Sequence, residues 1–213
     1  MTPPASTAVR ARRREHRAAA ERAILDAVEA LVAERDFREL TVEDVMASTG
    51  LTRTSFYRYF PDLEAVLLRW LEEFTVELRR TADSWLQDPA TGIEVGIAFV
   101  SLYKSYGRLL LAVDQAGGTG TDVGEAWHAL TSDFTTRYSE FIVELCRRGN
   151  STVSYPVETA RALVGMTGRY LLDAYGRGPS VPVAVAAATL AEIWQRTLFC
   201  TGLAMPSGAE VAS

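Results

Sequence analysis

Between Thr41 and Pro61 the stretch TVEDVMASTGLTRTSFYRYFP admits little besides two short helices. Thr41 stands as a helix N-cap, and Asp44 three residues later supplies a variant of the capping box, in which side chain and backbone satisfy each other's free groups. Val42, Val45 and Met46 give that helix an apolar side. Gly50 stops it, since glycine takes the left-handed conformation that closes a helix at no Cβ cost. Thr52 caps a second helix two residues on, and Pro61 ends it by excluding helical backbone from the residue before. Two short helices around one glycine make a helix-turn-helix.

The second of these helices has two unlike sides. Phe56, Tyr59 and Phe60 are three and four residues apart and share a face, which is expected to be buried. Arg53 with Tyr57, and Thr54 with Arg58, are i, i+4 pairs on the other side, with Ser55 at the edge. That outer face is expected to carry guanidiniums, hydroxyls and a phenol but no carboxylate. Such donors suit phosphates and base edges in a DNA major groove. A solvated face with Tyr57 partly packed is the alternative, and a position behind an arginine-rich N-terminus favours DNA.

Charge is distributed accordingly. The net charge is −5, yet residues 1–60 hold ten arginines against nine acids, whereas the remainder holds twelve basic against eighteen acidic residues. Arg10, Arg12, Arg13, Arg14 and Arg17 crowd the start against Glu15 alone. A phosphate-facing N-terminal part on a body that avoids nucleic acid follows, with Arg12, Arg13 and Arg14 in a disordered basic arm over residues 1–14. A merely solvated tail is the other reading of that arm.

The chain as a whole reads as all-α, with about nine helices and no strand pattern. An amphipathic helix is expected over residues 15–35, with Ile24, Ala27, Val28, Leu31 and Val32 inward. After the helix-turn-helix come helices near 62–86, 91–106, 107–116, 122–148, 156–176 and 182–200. Four glycines between 117 and 124 forbid a regular element there. The expected division is a DNA-binding domain over 15–61, a larger helical domain over 62–205 and a disordered tail over 206–213.

Several function classes drop out. No apolar run has the length of a membrane span and the start lacks a signal-peptide core, so a cytoplasmic protein with no membrane partner is expected. Cys146 and Cys200 read as buried free thiols rather than a disulfide or metal pair. His16 lies in the arm and His128 is alone on a helix, and the GGTG stretch lacks the strand and lysine of a phosphate loop. No catalytic residue, metal site or cofactor is expected.

Residues 20–68, centred on LTVEDVMASTGLTRTSFYRYFPDLEAVL, resemble the DNA-binding domain of the TetR family of bacterial repressors. The shared pattern runs from a threonine through a short apolar helix, a glycine and a small hydroxyl residue to an aromatic cluster and an acidic helix start. FYRYFPDLEAVLL, Trp127 in GEAWHAL and EIWQRTLF are further similar to the mycobacterial repressors of ethionamide activation. The resemblance implies that the Thr41 hydroxyl and amide bind a phosphate and that Thr52, Arg53, Thr54, Ser55, Tyr57 and Arg58 read a palindromic double-stranded operator. The family usually carries a lysine where this chain has Leu63, which removes one expected backbone contact.

In that family the second domain dimerises and binds a small molecule. Small residues here support the first role: Ala160, Ala162, Gly165 and Gly168 on the helix near 156–176, and Ala184, Ala186, Ala187, Ala188 and Ala191 on that near 182–200. With Leu163, Met166, Leu190 and Ile193 they predict a homodimer through a four-helix bundle, ordinary interior packing being the alternative. Leu102, Tyr103, Tyr106, Trp127, Phe134, Tyr138, Met166, Thr167, Tyr170, Trp194 and Leu198 are candidates to surround a small hydrophobic effector. Spacing alone reads equally as core. The competing reading is a DNA-bound adaptor that meets a protein partner and has no ligand.

Overall fold

The computed structural model describes residues 5–87, 92–118 and 120–199. Among them the elements are α1 (Ala5–Glu34), a 3₁₀ turn (Phe37–Glu39), α2 (Val42–Thr49), α3 (Arg53–Tyr59), α4 (Leu63–Gln87), α5 (Gly92–Ala116), α6 (Asp122–Arg147), α7 (Pro156–Tyr175) and α8 (Val183–Leu198). The all-α class holds, with no strand among the described residues.

The short helices form as their caps dictate. The Thr41 hydroxyl accepts from the Asp44 amide, and the Thr41 amide donates back to the Asp44 carboxylate at 2.9 Å. The Thr41 hydroxyl and amide, with Arg35, hold that carboxyl down at about 2, so the cap is intact at neutral pH and is lost only as acidity passes below the ordinary carboxylate range. Gly50 closes α2 at φ 68°. Thr52 caps α3 by accepting from the Ser55 amide. Phe56 has no exposed surface and Phe60 very little, while Tyr59 is half-buried.

α1, α2 and α3 close over Ile24, Val28, Val45 and Phe56. α4 ties this unit to the larger one. The Trp70 indole N–H donates to the Leu25 carbonyl at 3.4 Å, and Arg22 lies over the indole ring at 4.8 Å. One turn on, Phe74 meets Tyr103 of α5 edge to face at 5.4 Å between centroids. α5 then runs through the middle of the second unit, against α4, α7 and α8, while α6 packs on α7.

Two expectations are corrected. The helices set at 91–106 and 107–116 are one, α5, with Gly107 in its interior. A Cβ there would lie 2.4 Å from the Tyr175 carbonyl oxygen, so the glycine marks a close approach of α5 to the end of α7 rather than a break. Gly107→Ala is expected to destabilise the protein by about 1–3 kcal/mol through overpacking, although alanine in an open helix stabilises by about 1 kcal/mol. Thermal unfolding of the variant measures it. The basic arm is likewise not disordered where it is described: α1 begins at Ala5. No glycine or proline interrupts Ala5–Glu34, alanine and arginine are good helix formers, and Arg17 pairs with Glu21 one turn on at 2.6 Å. Residues 1–4, the tail over 206–213 and Cys200 lie outside the described residues. Cys146 is half-buried, its thiol 3.6 Å from the Val153 carbonyl.

The small residues of α7 and α8 divide between two sides. Ala160, Ala186 and Ala187, with Leu163 and Leu190, are buried within the chain. Ala162, Gly165, Ala184 and Ala188 are exposed beside Val185 and Ile193. No helix among the described residues is long and apolar enough to cross a membrane.

Candidate functional site

α3 presents Arg53, Thr54, Tyr57 and Arg58 outward, with Tyr57 48% exposed. Thr52 is exposed too, but its hydroxyl lies 3.0 Å from that of half-buried Ser55, so these two are engaged in the cap. One expectation about this face fails. A carboxylate does stand on it, brought by the neighbouring helix: Arg53 Nη1 donates to Glu43 Oε1 of α2. Arg53 Nη2 also reaches the Tyr57 hydroxyl at 3.3 Å, and the guanidinium carbon lies 5.7 Å from the Tyr57 ring centre. The periodicity of α3 alone cannot reveal a partner on α2.

The N-terminal half of α1 runs beside this helix. Val9, Arg12, Arg13, His16 and Arg17 of α1 and Arg58 and Tyr59 of α3 line one open groove of about 560 Å³. Arg14 is exposed and is not part of its lining. Leu63 is half-buried against the core, and next to it Asp62 Oδ1 accepts from the Ala65 amide at 2.8 Å as the cap of α4. An apolar side chain so placed offers no hydrogen bond to a phosphate.

The second unit holds two small adjoining cavities, each partly open. One, of about 90 Å³, lies among Trp85 and Ala82 of α4, Gly96 and Phe99 of α5 and Ala187, Ala191 and Gln195 of α8. The other, of about 50 Å³, lies among Leu78, Tyr103, Trp127, Leu130, Phe134 and Gly168. Phe99, Tyr138, Thr167 and Trp194 line both and form the waist between them. The Trp194 indole N–H donates to Thr167 Oγ1 at 3.0 Å. Tyr138 stacks on Phe134 and sits 4.8 Å from Trp194. Burial raises the Tyr138 phenol well above its usual range, so it stays protonated and able to donate.

Of the candidates for this interior, Tyr103, Trp127, Phe134, Tyr138, Thr167 and Trp194 line the cavities. Leu102, Tyr106, Met166, Tyr170 and Leu198 do not. Tyr106 turns toward α4, where it packs on Trp70 and Phe74 and donates to Glu77 at 3.2 Å. Burial, then Glu77, pushes its phenol up to about 12. Leu198 is wholly buried in the core.

A family model described as "Bacterial regulatory proteins, tetR family" matches residues 24–69. The HTH-type transcriptional regulator EthR of Mycobacterium tuberculosis is 30% identical over 191 residues, which cover 84% of this chain and 87% of that protein. The chain belongs to the TetR family.

TetR-family proteins are DNA-binding transcriptional regulators, not enzymes. Two solved structures share the fold of this TetR-family chain. The SmeT–triclosan complex has a TM-score of 0.66 at 22% identity and covers 92% of this chain and 99% of its own. AibR in complex with isovaleryl coenzyme A and operator DNA has a TM-score of 0.60 at 16% identity and covers 84% and 98%. Within the TetR-family frame, Trp85 and Phe99 are the aromatic cavity residues that the sequence pattern does not single out. Their helices carry continuous apolar stripes, and period alone does not separate a residue at a void from one in the core.

Proposed function

We propose that the protein is a cytoplasmic repressor that binds a palindromic operator as a homodimer and is released by a small, largely apolar ligand in its second domain. The observation that carries this reading is the α3 face of Arg53, Thr54, Tyr57 and Arg58, continued by Arg12 and Arg13 across a shared groove. α3 would enter the major groove, with the Thr41 end of α2 and the α1 arginines on phosphates. The domains would divide as residues 15–61 and 62–205. The exposed strip of Ala162, Gly165, Ala184, Val185, Ala188 and Ile193 would join two copies through α7 and α8, setting the spacing of the two recognition helices.

Ligand response is supported by the apolar interior and by SmeT and AibR, solved with triclosan and with isovaleryl coenzyme A. The cavities of about 90 and 50 Å³ are each far below the roughly 300–1,000 Å³ of a drug-sized site. A ligand must therefore part the waist at Phe99, Tyr138 and Trp194, and the conformer so selected would hold the two α3 helices at the wrong separation. The divided interior equally favours the reading of a DNA-bound adaptor with a protein partner.

Fluorescence anisotropy with the promoter region beside its own gene tests the main reading. Saturable, sequence-specific binding at a stoichiometry of at least one dimer per site is expected, and its absence would overturn it. Ligand response is separable. A thermal-shift screen of neutral apolar compounds should yield binders that stabilise by about 2.7 kcal/mol at a hundred times Kd. The same compounds should change tryptophan emission and lower DNA affinity, because Trp85, Trp127 and Trp194 all line the cavities. Binders that leave DNA affinity unchanged would favour the adaptor.

A further inference from the structure

Glu43 has no part in the cap that begins its helix. Thr41 is paired with Asp44, and Asp44 with Arg35 at 3.0 Å, whereas Glu43 reaches across to the first residue of α3. Both members of that pair are largely exposed, Glu43 to 57% and Arg53 to 62%, so their contact contributes little to stability. A carboxylate on a face that meets phosphates weakens binding unless a base supplies it with a donor. Arg53 is meanwhile held from two helices, by Glu43 and by the Tyr57 hydroxyl, which fixes the guanidinium before DNA arrives.

Resting on the DNA-binding reading above, we propose that Glu43 is a specificity-determining residue. With Arg53 it reads a G·C-containing step: Arg53 donates to guanine O6 and N7, and Glu43 accepts from a cytosine amino group at or beside that pair. Guanine and thymine offer a carboxylate only acceptors or a methyl group in the major groove. Adenine offers an amino group beside the acceptor N7, which repels it, and cytosine alone presents an amino donor with no acceptor next to it. The pair thus couples an attractive contact to a penalty on every other base at the Glu43 position.

The test selects bound sequences from a randomised duplex pool with the full chain and with its Glu43→Gln, Glu43→Ala and Arg53→Ala variants. The unaltered protein should fix a guanine and a cytosine in each half-site. Both Glu43 variants should lose at least about tenfold of the cytosine preference at one position and keep the others, with Glu43→Gln admitting adenine. They should also bind an unrelated duplex several-fold more tightly, one negative charge having gone from the face. Arg53→Ala should erase the guanine preference. Unchanged base preferences in the Glu43 variants, beside a clear consensus for the unaltered protein, would overturn this inference alone. No consensus for the unaltered protein would overturn the DNA-binding reading with it.

Discussion

Removing residues 1–14 is expected to weaken operator binding by about 10²–10⁴-fold at low salt and to flatten its salt dependence. The segment holds Arg10, Arg12, Arg13 and Arg14. Each arginine seated on a phosphate releases counterions and steepens the slope of log K against log salt by about 0.9. In the proposed dimer, two copies of the arm would place up to eight such contacts at stake, a slope change of about 7. Because Arg12 and Arg13 share a groove with Arg58 of α3, the truncated protein keeps its recognition helix and loses its electrostatic approach. Anisotropy titrations between 50 and 200 mM salt read the slope directly. An unchanged slope would remove the arm from the phosphate contacts.

The Phe74→Ala variant is expected to lose about 3–5 kcal/mol of unfolding free energy. Phe74 is 1% exposed and its ring meets both Tyr103 and Tyr106 of α5. Truncation leaves a void that two large phenols cannot collapse into without leaving their own contacts. Against a total of about 5–15 kcal/mol the loss is severe. Urea unfolding should show a lower midpoint with the slope unchanged, since the surface exposed on unfolding is nearly the same. DNA affinity should fall as well, because α4 also carries Trp70, the anchor of α1.

The helix-turn-helix was legible because its determinants are local. Thr41, Gly50, Thr52 and Pro61 each act within a few residues of where they stand. The unread parts depend on contacts distant in sequence. Gly107 looks like a helix break until Tyr175, far along the chain, is seen to need the space. Glu43 looks like an ordinary surface acid of a first turn until α3 folds beside it. Tyr106 and Tyr103 are three residues apart on α5, yet only Tyr103 faces a cavity, because α4 claims the other. The arm differs in kind: its like charges point to disorder, while its uninterrupted run of helix formers extends α1 back to Ala5.

That run makes α1 a single rod of 30 residues, from the basic groove to the turn that precedes α2. At 1.5 Å per residue it spans about 45 Å, so a tilt of about 10° about one end carries the other through about 8 Å. The clasp at its far end, where Arg38 donates to the Gln115 carbonyl and the Gln115 amide donates to Asp36, therefore sits at the short arm of a lever. A displacement of α5 that reached the rod through this clasp would be widest at the basic groove, where the α1 arginines stand beside α3.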